Sequence, residues 1–115
     1  MDAQKMPIEP GQIVQWKGRR YFVAETFRRS VAICPIERAP IPRHRSDIPV
    51  SAGDCITLGL MSETVIRCVP FAVKKSRLTP DSALSSPSLA IMVKGQIDRE
   101  AQAQAFEAAH GYILP

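Results

Sequence analysis

The chain has 115 residues, of which 45% are hydrophobic, 23% charged and 6% aromatic; that apolar share suffices for one packed core, so a single domain is expected. Charged residues, prolines or glycines recur every few positions, so no stretch reaches the roughly 18 apolar residues a membrane span needs. The net charge of +4 is uneven: residues 1–78 carry thirteen Lys and Arg against seven Asp and Glu, and residues 79–115 carry two against four. Residues 1–7 lack the apolar core of a secretory signal, and a cytoplasmic location is expected.

Ten prolines leave almost no window before the tail long enough for a stable helix, which makes the body β. Residues 1–9 read as a flexible N-terminus, 10–78 as the body, 79–88 as a loop, and 89–115 as a last strand and a C-terminal helix. Strands are expected over 12–16, launched by Pro10-Gly11, and over 20–26, with Lys17-Gly18-Arg19 as the tight hairpin between them. A third strand over 31–36 follows as a neighbour in a meander, with Pro35 marking an edge or a bulge. Residues 37–46 read as a basic, proline-punctuated loop, 47–50 as a short strand, and Ser51-Ala52-Gly53-Asp54 as a turn. Residues 64–69 and 71–74 are extended, interrupted by Pro70. The Ser- and Pro-rich segment 81–88 is a loop, and the apolar run 89–93 is the last strand. Asp98 stands where an N-cap should be, with a helix over 99–109 behind it and Gly111 past its end. Ala101, Ala105, Phe106, Ala109 and Tyr112 make a narrow stripe of mostly small side chains suited to packing on a sheet. The fold class is thus mainly β with a C-terminal α-helix, on the plan of a small antiparallel β-barrel.

Cys34, Cys55 and Cys68 are an odd number without a C-x-x-C pair, and they read as reduced core thiols. With only His44 and His110 to add, no close-spaced ligand cluster exists, so no metal and no cofactor is expected. Lys17, Arg19, Arg20, Arg28, Arg29, Arg38, Arg43 and Arg45 crowd into turns and loops. Guanidinium forks match phosphate geometry, so this pattern suits a nucleic-acid backbone; a solvated surface accounts for the same charges.

The order of short motifs from Pro10 to Leu78 resembles the PemK/MazF family of toxin–antitoxin growth inhibitors. Pro10-Gly11-Gln12-Ile13-Val14 is similar to that family's P-G-D-I-V opening, Gly18-Arg19-Arg20-Tyr21-Phe22-Val23 to its G-x-R-P-x-x-V strand, and Ile33-Cys34-Pro35-Ile36 to its V-x-P-I-T strand. Gly59-Leu60-Met61-Ser62-Glu63-Thr64-Val65 resembles its G-L-x-x-x-S-V segment, and Lys75-Ser76-Arg77-Leu78 its closing K-x-R-L. The chain departs from the pattern in a first loop shortened to about Lys17-Gly18-Arg19, in Tyr21 where the family has Pro, in Glu37 where it has Thr or Ser, and in the insertion 81–88.

The resemblance implies an SH3-like, PemK-like barrel and a homodimer whose partners are RNA and an antitoxin protein. It also implies a metal-independent endoribonuclease that attacks a phosphodiester with the neighbouring 2′-hydroxyl and leaves a 2′,3′-cyclic phosphate. Arg20 occupies the family's arginine position, as the cation over the charge building on phosphate. Glu37 is the candidate base and His44 a candidate acid for the leaving 5′-oxygen. Lys17, Arg19, Arg28, Arg43 and Arg45 are the candidate RNA contacts, and Trp16 either stacks on a base or packs on the core. Homodimerisation also follows from Val65, Ile66, Cys68, Val69 and Phe71, which one helix would struggle to cover. The alternative is a non-catalytic barrel in which Glu37 simply pairs with Arg20 or Arg38 and the surface binds nucleic acid or a protein partner such as an acidic antitoxin-like peptide.

Overall fold

Alternating side chains set the architecture. In a strand, neighbouring residues point to opposite faces, and each adjacent pair Ile13/Val14, Phe22/Val23 and Cys34/Ile33 is divided between two separate apolar clusters. A computed structural model describes residues 7–39 and 41–111. Its strands are β1 (Ile13–Trp16), β2 (Arg19–Thr26), β3 (Ser30–Arg38), β4 (Asp47–Pro49), β5 (Thr64–Arg67), β6 (Phe71–Lys74) and β7 (Thr79–Pro80), with helices α1 (Ala52–Leu58) and α2 (Pro87–Ala109). All pairings are antiparallel, in the order β4-β5-β3-β2-β1-β7, and β6 lies against β3. Among the described residues this order runs from β4 to β7 without closing on itself.

The hairpin between β1 and β2 turns on Lys17 and Gly18, both with positive φ (51° and 76°), while Trp16 faces Arg19. Two positive-φ residues in a two-residue loop match the right-handed twist of the flanking strands. Strand β3 pairs with β2 along one edge and divides its other edge. Residues 30–33 lie opposite β6 and residues 36–38 opposite β5. Pro35, which has no N–H to donate, pairs with Tyr21 on the β2 side and stands in the gap between β6 and β5 on the other; the register shift lies at Val23/Glu25, so Pro35 marks a break in one edge and not a bulge.

One face of the sheet carries Ile13, Phe22, Cys34, Ile66 and Cys68, covered by Cys55 and Leu58 of α1 and by Leu89 and Val93 of α2. The other carries Val14, Val23, Val31, Ile33, Val73 and Leu78, with Trp16 and Tyr21 at its margin. The three cysteines are free and buried, and burial pushes the Cys34 and Cys68 thiols up to about 12, which leaves them protonated and unreactive. Gly11, at φ 94°, lets the segment after β7 pass close by: a Cβ there would sit 2.9 Å from the Ser85 hydroxyl.

Both helices depart from the sequence expectation. Residues 51–54 are not a turn but the start of α1: the Ser51 side chain accepts from the Asp54 N–H, and Gly59 closes the helix at φ 67°. The run 89–93 is not a last strand but the second turn of α2. That helix starts at Pro87 behind the N-cap Ser86, whose side chain accepts from the Leu89 N–H, and Asp98 lies well inside it. Leu89 and Val93, four residues apart, face the core, while Ile91 and Met92 are exposed, as a period of 3.6 requires. Ala101, Ala105, Phe106 and Ala109 do not pack on the sheet: all are exposed, and Tyr112 lies outside the described residues. No helix among the described residues is long and apolar enough to cross a membrane.

Candidate functional site

Beyond the pair Tyr21↔Pro35 the strands β2 and β3 no longer face each other, and β3 goes on beside β5. The strand ends left by this parting wall a groove of about 590 Å³. Arg19, Arg20 and Tyr21 line it from β2, Glu37 and Arg38 from β3, Leu60 and Met61 from the segment after α1, and Thr64 from the start of β5. The structure therefore brings together Arg20 and Glu37, two of the three residues placed in the chemistry from sequence. Arg19 and Arg38 are exposed and form no ion pair among the described residues.

Arg20 is heavily engaged. Its Nε donates to Asp81 Oδ2 (3.2 Å), Nη2 to Asp81 Oδ1 (3.0 Å) and the Leu58 carbonyl (2.9 Å), and Nη1 to the Gly59 carbonyl (2.8 Å). The last two oxygens belong to the C-terminal end of α1, where carbonyls lack helical partners and carry partial negative charge. Arg20 thus fastens α1 and the segment after β7 to β2, with its remaining N–H on Nη1 uncommitted. Thr64 is a hydroxyl that sequence reasoning did not assign to the site. It is paired with Arg38 across β3 and β5, and its Oγ1 donates to the Met61 carbonyl at 2.5 Å, which leaves its lone pairs as acceptors. Its signal was present: Thr64 falls on the Ser of the family-like G-L-x-x-x-S-V segment.

Beside the groove three rings meet. Trp16, Tyr21 and Phe71 lie with centroids 5.4 to 5.8 Å apart at steep angles, and Lys17 Nζ sits 4.7 Å from the Trp16 ring centroid. Trp16 and Tyr21 are diagonal neighbours on one face of the first hairpin, so their meeting follows once the two-residue turn is known. Phe71 arrives from β6 through the pair Ile33↔Phe71, a long-range contact. On the far side of Trp16 a second depression, about 300 Å³, is lined by Trp16, Lys74 and Arg77. The aromatic cluster thus separates two cation-lined hollows.

The remaining candidates lie elsewhere. Arg28 is exposed in the turn between β2 and β3. Arg45 is not available to phosphate: its Nε and Nη2 donate to Glu100 (2.7 and 3.0 Å), and its Nη2 and Nη1 donate to Glu107 (2.7 and 3.1 Å). It clamps the loop before β4 to α2, and its bonds hold both glutamates below the usual carboxylate range. Arg43 is exposed in the same loop, with its backbone N–H on Asp47. His44 Nδ1 accepts from the Ser46 N–H at 3.0 Å and does not line the groove, so it is not placed beside Arg20 and Glu37. Among the described residues no three His, Cys, Asp or Glu side chains gather as a metal site would need.

Asp47 and Asp81 carry a consequence for pH. Burial pulls each carboxyl up, but the pull is outweighed at Asp47 by Arg67 and the Arg43 and His44 N–H groups, and at Asp81 by Arg20 and Gln15, so both end below the usual range. A carboxylate lowered in this way adds stability that is fully present above its unfolded pKa of about 4 and is lost as pH falls toward the folded value. Urea midpoints are expected to fall between pH 5 and pH 3 (about the carboxylate range), and Asp47→Asn, less stable at neutral pH, should show a flatter acid limb. An unchanged limb in that variant would remove Asp47 from the account.

No protein-family model and no curated protein matches the chain.

Proposed function

We propose that this chain is a PemK/MazF-like growth inhibitor of toxin–antitoxin type that binds single-stranded RNA across the groove and the neighbouring aromatic cluster, on an SH3-like barrel plan. The observation that carries this reading is the Trp16–Tyr21–Phe71 cluster set between two cation-lined hollows, with Arg19 and Arg38 on one side and Lys74 and Arg77 on the other. Sequence-tolerant binding of single strands uses these two parts together: ring faces for bases and cations for phosphates. A duplex keeps its bases stacked inside and offers the rings nothing.

The meeting of Arg20 and Glu37 in one groove favours cleavage as a second reading. The 2′-oxygen would attack phosphorus as the Glu37 carboxylate takes its proton, while the guanidiniums of Arg19, Arg38 and the uncommitted Nη1–H of Arg20 face the phosphate charge. The P–O5′ bond breaks, a 2′,3′-cyclic phosphate remains, and the 5′-oxygen takes its proton from water. This reading uses no metal or cofactor.

Trp16 is the sole tryptophan, so its fluorescence reports on the cluster directly. Titration with a single-stranded oligoribonucleotide at low salt should quench it, with affinity falling steeply as salt rises. Replacing Arg19 and Arg38 together by alanine should lower the slope of log affinity against log salt by about two. Absence of quenching at low salt would overturn the RNA assignment, and quenching by an acidic peptide alone would give the surface to an antitoxin-like partner. If the bound strand is cut, Glu37→Gln should slow cutting by about 100-fold or more while leaving quenching intact. Cutting unchanged in that variant would reject Glu37 as the base.

A further inference from the structure

Strand alternation assigns Glu37 to the face of the aromatic rings. On β2, Tyr21 shares the side of Val23 and Arg20 that of Phe22; on β3, Glu37 shares the side of Ile33 and Pro35, while Arg38 falls with Cys34 and Ile36. Arg20 thus turns toward α1, and Glu37 toward the side of Tyr21 and Phe71. Two residues beyond the pair Tyr21↔Pro35, Arg19 and Glu37 stand on that same face, across the parting of the two strands. Both are exposed and line the groove, and among the described residues no ion pair joins them. Nor does Glu37 pair with Arg20 or Arg38, the surface role that the sequence leaves open for it. Its cross-strand partner Val65 brings it no polar side chain; Val65 is buried within the protomer, as are Ile66 and Cys68, so these three need no second copy to cover them.

A carboxylate without an ion pair, on a ring-bearing face among cations, calls for a neutral partner with donors to give. Lys17, Arg19 and Arg38 nearby disfavour a charged amine in that place. Among the bases of a single strand only guanine sets two donors side by side, N1–H and N2–H, to match the two oxygens of one carboxylate. Cytosine and adenine each set an amino donor beside a ring-nitrogen acceptor, and uracil sets its N–H between two carbonyl oxygens, so all three bring lone pairs against the carboxylate.

We infer that the parting of β2 and β3 is a guanine subsite, in which Glu37 accepts from N1–H and N2–H, the base lies beside the Tyr21 and Phe71 rings, and Arg19 faces the adjoining phosphate. The inference rests on RNA binding as proposed above. It stands against the cleavage reading, because a carboxylate held by a base edge is not free to take a proton from a 2′-hydroxyl.

Trp16 fluorescence of the full chain reads the test. The probes are short oligouridylates that carry one central guanosine, inosine, adenosine, cytidine or uridine. The guanosine strand should bind about tenfold more tightly than the uridine strand, and inosine, which lacks only the N2 amino group, should fall between them. Glu37→Gln leaves one acceptor and should bring the ratio of guanosine to uridine affinities near unity; circular dichroism checks the fold of this variant at an exposed position. Equal binding of all strands, or a preference for adenosine or cytidine, would overturn the guanine subsite while leaving RNA binding in place. So would a guanosine preference that survives Glu37→Gln or that inosine keeps in full. Absence of quenching by any strand would overturn RNA binding and the subsite with it.

Discussion

Asp54→Ala should lower the unfolding free energy by about 3 kcal/mol, the largest loss expected from any one substitution of a polar side chain in this chain. Asp54 sits in the first turn of α1 and is only 8% exposed. Its carboxylate accepts from the Ser86 N–H at 2.7 Å, the Ser86 hydroxyl at 2.8 Å and the Ser51 hydroxyl at 3.3 Å. Ser51 and Ser86 are the N-caps of α1 and α2, so one carboxylate ties together the starts of both helices. Alanine would strand the Ser86 N–H and leave two caps without their orienting partner, and hydrogen bonds to a charged acceptor contribute about 1.5–3 kcal/mol each without adding fully. Asp54→Asn keeps the size and one acceptor oxygen, and should cost about half as much. Urea midpoints at constant slope check both variants; equal losses, or a loss below about 1 kcal/mol for alanine, would mean that the two helices are held by packing alone.

Arg20→Ala is the second, at about 2 kcal/mol, a figure reduced for the 36% exposure of the Arg20 side chain. The change removes four hydrogen bonds and leaves Asp81, 17% exposed, beside two unpartnered helix carbonyls. Lysine should not rescue it, because one ammonium cannot reach Asp81 and the end of α1 as the planar fork does. A double-mutant cycle with Asp81→Asn is expected to show coupling, and strictly additive losses would show that Arg20 acts on α1 alone. Any loss of RNA cleavage in Arg20→Ala therefore mixes folding with chemistry. Glu37→Gln, at an exposed strand position, separates the two.

The sequence readily displays what short-range rules govern. The Lys17-Gly18 hairpin, the course of β1 and β2 and the strands at 64 and 71 follow from alternation and turn residues, whereas Glu37 and Arg38, read as the start of a loop, extend β3, and their pairing with β5 carries Glu37 to the groove. The C-terminal helix was legible over 99–109, but its first three turns and the whole of α1 escaped because their signals are ambiguous at short length. Five apolar residues, 89–93, satisfy a buried strand and a helix turn equally, and the deciding feature is the Ser86-Pro87 pair in front of them. Likewise Ser51-x-x-Asp54 followed by Gly59 is a cap and a stop around a helix of seven residues. The role of Arg45 was missed for a different reason. The expected helix 99–109 already ran through Glu100 and Glu107, two helical turns apart, but no short-range rule says that the loop before β4 crosses that helix. Loop arginines show where cations are, but not which anions reach them first.

The divided edge of β3 also bears on how the molecule comes apart. Val31, Ala32 and Ile33 face neighbours on both sides, Cys34 lies in the packed core, and three strands lose a partner if β3 leaves. Amides along Val31–Ile33 are therefore expected to exchange with solvent only through global opening, at the full unfolding free energy. The outer turns of α2, held by a single arginine, open on their own far sooner. Slow and fast exchange would thus divide this small chain into a sheet that breaks all at once and a helix end that frays without it.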